Sequence, residues 1–211
     1  MTMTYTELKT NINDICENTF TDAQLALFTE QAEQKIYNAV QFPALRKNVT
    51  GTMTSGIKYL TMPTDFLYSY SLAVINSSGV YTFLLNKDVN FMREAYPNPS
   101  STGTPVHYAY FDQDSFILGP TPDSSYSTEL HYGYYPQSIV DAGTTWLGTE
   151  FDSALLNGAL VEAIRFLKGE PDVVAMYDKM YSESLLLLKN LGDGKLRADT
   201  YRSGQPRLAV Q

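Results

Sequence analysis

The sequence has few of the features that mark secreted or membrane proteins. Cys16 is its only cysteine, so a disulfide within the chain is impossible. A run of about 18 apolar residues is absent, so no membrane-spanning helix and no membrane partner are expected. The first residues, MTMTYTELKT, lack the basic and then apolar stretches of a secretion signal. We therefore expect the protein to be made inside a cell.

Basic residues are also scarce, and they are unevenly placed. The formal net charge is −8, but residues 192–211 carry four basic and two acidic side chains and are net +2. Residues 1–191 therefore sum to −10. Tight wrapping by nucleic acid needs many Lys and Arg side chains to neutralise phosphates, so the charge argues against it. Loose passage of DNA past a repelling surface is compatible with this charge.

Aromatic side chains, by contrast, are abundant. The chain has sixteen Tyr and ten Phe, although only 18% of its residues are charged. Such side chains supply large contact areas at protein interfaces. They also occur on half-exposed strand faces of a β-rich core. Both interpretations fit the sequence.

No residue pattern predicts catalysis or a cofactor. His107 and His131 lie in predicted strands, and no metal-ligand spacing such as His-x-x-x-His joins them. Asp112 or Glu129 would be the nearest carboxylate to complete such a site. Cys16 has no paired base that would activate it as a nucleophile, and neither Gly-x-Ser-x-Gly nor a phosphate-binding loop occurs. We predict no metal, no cofactor and no enzymatic activity.

Two alternatives to a purely structural role fit the sequence. A pair of carboxylates can hydrolyse a glycosidic bond, and any acidic chain offers such pairs. The tyrosine-rich stretch 126–135 could stack on carbohydrate, or it could form the edge of a sheet in an assembly. Glu162, a carboxylate in the apolar helical region 151–191, is expected to be exposed.

Helix signals appear first near the N-terminus. Thr4 with Glu7, and Thr21 with Gln24, have the form of capping boxes, which predict helices over about 5–17 and 22–40. The adjacent basic pair at 46–47 is interpreted as an electrostatic cap for the end of the second helix, and contact with an acidic neighbour is the alternative.

A second helical region covers residues 151–191. We predict two long antiparallel helices, joined at a short turn that contains Gly169 and Pro171. Thr149 with Asp152 would cap the first helix, Gly169 would end it in the left-handed conformation, and Pro171 would begin the second. Gly192 with Gly194 would stop the second helix. Its buried stripe is predicted to consist of Val173, Val174, Tyr177, Met180, Tyr181, Leu185 and Leu188.

Between these helical regions, the apolar pattern is that of strands. Residues 49–54 and 57–61 predict a hairpin around Ser55-Gly56, and residues 66–76 and 80–85 predict another. Residues 88–96 predict one short helix, and 97–105 a loop. The last predicted strands are 106–111, 115–118 and 126–135.

Strands grouped between helices predict an α+β fold. We expect a helical bundle formed by the N-terminal and C-terminal helix pairs, with an inserted antiparallel β domain and an extended C-terminal tail. The predicted parts are 1–45 for the first helices, 46–140 for the β domain, 141–191 for the helix hairpin and 192–211 for the tail.

Five stretches form a distinctive set of loop and packing patterns. They are PALRKN at 43–48, TMPTDFLYSYSLAVI at 61–75, LLNKDVNFMREAYPNPSSTGTP at 84–105, FILGPTPDSSY at 116–126 and GEPD at 169–172. Together they resemble the head-to-tail adaptor, or connector, proteins of short-tailed bacteriophages. The resemblance implies a virion protein, made in the host cytoplasm, that forms a dodecameric ring in the neck. Its implied partners are the portal protein above, the tail nozzle protein below and DNA that passes through the channel during ejection. Tail fibres are a further candidate partner.

The resemblance also implies that the basic tail is an arm that reaches the portal protein. The alternative for such a segment is a frayed terminus with no partner. Arginine side chains would pair with portal carboxylates, a tyrosine would anchor the arm, and small apolar residues would fill pockets. The residues predicted to do this are Lys195, Arg197, Tyr201, Arg202, Arg207, Leu208 and Val210.

Overall fold

The computed structural model describes residues 2–196, which form a mixed α+β protein as the sequence predicts. The helices are α1 (Tyr5–Ile15), α2 (Asp22–Ala39), α3 (Val89–Ala95), α4 (Ile139–Ala142), α5 (Trp146–Glu150), α6 (Asp152–Phe166) and α7 (Pro171–Leu196), with a 3-10 turn at Pro43–Leu45. The strands are β1 (Arg46–Met53), β2 (Tyr59–Thr61), β3 (Tyr68–Ile75), β4 (Tyr81–Phe83), β5 (Leu85–Asn86), β6 (Thr102–Gly103), β7 (His107–Tyr110), β8 (Ser115–Gly119), β9 (Thr121–Pro122) and β10 (Tyr126–Gly133). None of the described helices is both long and apolar enough to cross a membrane.

The chain divides into two compact units. The helical unit contains the residues up to Leu45 together with those that follow from Tyr135, and the β unit runs from Arg46 to Tyr134. The β unit is therefore a continuous segment of chain between two segments of the helical unit. Each unit has its own buried cluster of apolar side chains.

Both N-terminal capping boxes are confirmed. The Thr4 hydroxyl accepts a hydrogen bond from the Glu7 N–H at 3.3 Å, and the Glu7 carboxylate accepts one from the Thr4 N–H at 2.8 Å. Thr21 and Gln24 make the same reciprocal pair at the start of α2. Since these bonds satisfy N–H groups that have no partner within the helix, they fix where α1 and α2 begin.

The helix hairpin forms differently from the prediction at its caps. Pro171 begins α7, as predicted. Thr149 lies inside α5, and α6 begins after Phe151 without a side-chain cap, so the predicted cap by Thr149 and Asp152 is wrong. Lys168, at φ 54°, takes the left-handed conformation expected of Gly169. Glycine is needed at 169 for a different reason, because an added Cβ would lie 2.6 Å from Cγ2 of Ile164.

The second helix of the hairpin continues past its predicted stop. It passes through Gly192 and Gly194 and ends at Leu196, so the expectation that these glycines end it is wrong. An added Cβ at Gly192 would lie 2.4 Å from the backbone oxygen of Gln41. Gly192 therefore lets α7 pack closely against the chain that follows α2, and a glycine need not end a helix that has such packing.

The β unit contains two four-stranded sheets and one short pair. The strand orders are β1-β10-β3-β4, β2-β8-β7-β5 and β6-β9. The first sheet is antiparallel throughout, but β5 pairs with β7 and β6 with β9 in parallel, so the unit is not purely antiparallel as expected. Side chains from both sheets form one buried cluster, which includes Leu72, Leu130 and Phe116.

One predicted hairpin is confirmed and the other is wrong. Strands β3 and β4 pair across the turn that ends at Gly79 (φ 78°). The turn at Gly56 also exists, with Ile57 N–H bonded to the Thr54 oxygen at 3.1 Å, but it leads the chain from one sheet to the other. Strand β1 pairs with β10 and β2 pairs with β8. A tight turn alone does not specify which strands pair, and here distant strands compete successfully.

The short helix predicted at 88–96 is present, but the loop predicted at 97–105 is not entirely irregular. Helix α3 is confirmed, with Asp88 capping the Asn90 N–H at 2.7 Å. The predicted loop 97–105 contains the short strand β6, whose partner β9 lies between the predicted strands 115–118 and 126–135.

Candidate interaction surfaces

His107 lies in β7 and is half-buried. Its Nδ1 lies 2.7 Å from the hydroxyl of Tyr96, and the Phe91 ring packs edge-on to it at 5.3 Å. Burial lowers the pKa of His107, and the nearby Lys87 ammonium lowers it further. His107, held by Tyr96 and Phe91, is therefore a structural element of the α3–β7 packing.

His131 lies in β10, where it belongs to a stack of polar aromatic groups. The Tyr70 ring lies 5.0 Å from it, and the Arg46 guanidinium lies 4.4 Å from the centre of that ring. Arg46 and Lys47 are the first two residues of β1. They therefore do not cap α2, which ends at Ala39. Lys47 instead pairs with Asp65 at 2.7 Å.

The two carboxylates named as candidate metal ligands, Asp112 and Glu129, instead accept hydrogen bonds from other groups of the β unit. Asp112 accepts hydrogen bonds from the Asp114 N–H and the Ser115 hydroxyl in its own turn. Glu129 accepts one from the Tyr81 hydroxyl at 3.3 Å. Across residues 2–196, no group of three His, Cys, Asp or Glu side chains is placed to hold a metal ion. Burial raises the pKa of the Cys16 thiol, which reduces its thiolate character.

Glu162 is not exposed as expected. Its side chain is only 12% accessible and forms an ion pair with Lys35 of α2. Arg165, on the next turn of α6, lies 3.7 Å from it and also bonds to Asp178 of α7 at 3.2 Å. These ion pairs join α2, α6 and α7.

Sequence analysis missed one buried carboxylate, Glu33 of α2. Its oxygen accepts a hydrogen bond from the Ile139 N–H at 3.0 Å, at the start of α4. Burial raises the pKa of Glu33, although hydrogen bonds from Ser138 and Ile139 lower it in part. The two partners are 106 residues apart, so no local pattern could have signalled the contact.

Lys195 is the one predicted arm residue within the described part of the chain. It lies in the last turn of α7, 3.5 Å from the Glu150 carboxylate and 4.5 Å from the centre of the Phe42 ring. Its side chain thus packs within the helical unit, and its predicted role in portal binding stays a prediction. Arg197, Tyr201, Arg202, Arg207, Leu208 and Val210 lie outside the described residues.

Helix α7 presents two apolar faces. One faces the helical core, with Leu188 fully buried and Tyr177, Tyr181 and Leu185 partly buried. The other, here called the outer stripe, is between 37% and 65% exposed. Its members are Val173, Met176, Met180, Leu187 and Leu191, whereas the exposed Leu186 lies about 100° from Leu187 around the helix. The prediction that Val173 and Met180 face inward is wrong.

An open groove runs along the outer side of α1. Its volume is about 350 Å³. It combines an apolar side chain, hydroxyls and two carboxylates. The lining residues are Thr2, Met3, Thr6, Glu7, Thr10, Asn11 and Asp152.

An exposed apolar stripe and an open groove are surfaces typical of proteins that work by binding other proteins. A protein-family model described as SU10 adaptor protein matches residues 3–207. The chain therefore belongs to the SU10 adaptor protein family. This confirms the resemblance to phage head-to-tail adaptors, and it makes the chain a structural adaptor of a bacteriophage virion. A comparison with curated proteins finds no match.

Proposed function

We propose that the chain assembles as a dodecameric ring between the portal protein and the tail nozzle protein in the virion neck. Subunits made in the host cytoplasm would join the portal protein. The outer stripe of α7 is the observation that carries this proposal. A long helix with large apolar side chains exposed along it is costly in a lone subunit and useful in an assembly.

The proposed portal contact is the C-terminal segment that follows α7. Residues 197–211 carry three arginines and one aspartate. Fully extended, fifteen residues span at most about 50 Å, which is long enough to reach a neighbouring ring. In this proposal Arg197, Arg202 and Arg207 pair with portal carboxylates. Tyr201 supplies the aromatic anchor, and Leu208 and Val210 fill apolar pockets.

The proposed channel lets DNA pass without binding it. Residues 1–45 carry six carboxylates and two lysines, and the whole chain is net −8. Copies of such a chain around an axis would repel the phosphate backbone and keep packaged DNA from adhering during ejection. The nozzle protein, and tail fibres if they attach, would dock on the side away from the portal.

The test is a chain that ends at Leu196. Because α7 extends to Leu196 and Gly192 packs against Gln41, an earlier end would damage the helical unit as well as remove the arm. Purified full-length and shortened proteins are mixed with portal rings of the same phage and examined by electron microscopy. We expect the full chain to add a second ring and the shortened chain to keep its thermal stability but fail to join.

Two results would count against the proposal. Normal ring formation by the shortened chain would show that the arm is not the portal contact. If the full chain forms no ring on intact portal at physiological salt, the proposal that this protein forms a ring is wrong.

A further inference from the structure

We propose that neighbouring subunits meet through two different surfaces, with the outer stripe of α7 packed into the α1 groove of the next copy. This rests on the ring proposed above and names the surfaces that build it. A ring needs such a head-to-tail contact, because a contact of one surface with itself closes as a dimer.

The stripe is suited to contact because it is apolar and almost uncharged. Leu187 is 65% exposed and Met176 is 50% exposed. Lys179 and Glu183 flank the stripe and are 4.0 Å apart, so their charges nearly cancel. Two copies of a chain with net charge −8 repel each other over most of their surfaces, and this face is one where they can approach.

The groove offers the complementary chemistry. The methyl groups of Thr2, Thr6 and Thr10 supply apolar surface above Met3, which is itself only 7% exposed, and the groove has room for side chains of Leu or Met size. Glu7 and Asp152 place carboxylates at the same site. Lys179 is 78% exposed and its pair with Glu183 is weak, so it is free to turn toward these carboxylates.

The two surfaces are available on one subunit at the same time. Helices α1 and α7 each pack against α6, and their exposed residues lie on different elements of the helical unit. Each subunit can therefore offer its stripe to one neighbour and its groove to the other. The second copy is the occupant we assign to the stripe, because the matching surface is present on the same chain.

The test uses cysteine pairs in a Cys16→Ser background, since Cys16 is the only native thiol. Thr6→Cys marks the groove and Leu187→Cys marks the stripe; both positions are exposed, so the fold should tolerate them. Rings assembled on the portal are treated with a short bis-maleimide and separated by denaturing electrophoresis. We expect a ladder of covalent oligomers from the double variant and monomers from each single variant.

A matched control combines Leu187→Cys with Thr52→Cys, an exposed position in β1 of the other unit, and should give no ladder. Dimers from Leu187→Cys alone would mean that the stripe faces its own copy, which overturns the inference. Visible rings without a ladder would overturn the inference and leave the proposed function standing. Loss of the ring in every sample, including the unmodified protein, would overturn both the inference and the proposed function.

Discussion

Two glycines in the last turns of α7 make a matched test of how this helix packs. An alanine at Gly192 would place its Cβ 2.4 Å from the Gln41 oxygen and 3.2 Å from Cδ2 of Phe42. An alanine at Gly194 would meet no described residue within 4 Å. The same substitution, two residues apart in one helix, should therefore change stability in opposite directions.

The magnitudes follow from two competing effects. Replacing glycine by alanine inside a helix stabilises it by about 0.5–1 kcal/mol. Forcing an extra carbon into a packed site costs about 1–3 kcal/mol. At Gly192 the overlap is with a backbone oxygen that cannot rotate away, so we expect a net loss of about 1–2 kcal/mol. At Gly194 only the helix effect is left, and a gain below about 1 kcal/mol is expected so close to the helix end.

Trp146 provides a local assay. It is the only tryptophan, and its ring stacks on Phe42 at 4.8 Å, next to Gly192. Its fluorescence during urea unfolding reports on the helical unit, which matters because two units need not unfold together. The reasoning fails if Gly192→Ala is as stable as the wild type, or if both variants shift the midpoint in the same direction.

Three further predictions concern charge, association and chemistry. Glu33→Gln should make stability less dependent on pH. The raised pKa of Glu33 means that the folded state binds a proton more tightly than the unfolded state, so its contribution is present at low pH and is lost as pH rises through the folded pKa. Urea titrations from acid to neutral pH test this, and an equal slope in Glu33→Gln and in the exposed control Glu17→Gln would contradict it. The free protein should be mostly monomeric at low salt, because each copy carries −8 and repels the next; a closed ring without portal at both low and high salt in light scattering would refute this. Purified protein should not turn over peptidoglycan or common glycans, and turnover abolished by one Glu or Asp substitution would show that the chain is also an enzyme.

Signals within a few residues predicted much of the local structure. The Thr4 and Thr21 capping boxes located α1 and α2, because the hydrogen bonds involved join residues three apart. The turn at Gly79 located the β3–β4 hairpin, and Pro171 located the start of α7. In each case the energy that decides the structure comes from neighbours in sequence.

The strand pairing and the carboxylate environments that the sequence did not predict depend on contacts between residues far apart in the chain. Strand β1 pairs with β10, although the turn at Gly56 favoured a local partner. The Glu33 carboxylate accepts a hydrogen bond from the Ile139 N–H, 106 residues away. Glu162 forms an ion pair with Lys35, 127 residues away. A carboxylate looks the same in a sequence whether it is solvated or buried, so its environment appears only once the chain has folded.

The candidate binding surface illustrates the same limit in a more consequential way. Helix α7 has apolar residues on two faces, and a search for one buried stripe assigned Val173 and Met180 to the core together with Leu188. Periodicity alone cannot separate the faces, since both repeat at three and four residues. A subunit has only one core for α7 to face, so the second stripe is left without a partner among residues 2–196. That surplus of apolar residues is itself informative: a long helix that is apolar on more than one face predicts either a buried helix or an assembly interface. In α7 Leu188 is fully buried while Leu187, the residue before it, is 65% exposed, and this contrast favours the interface.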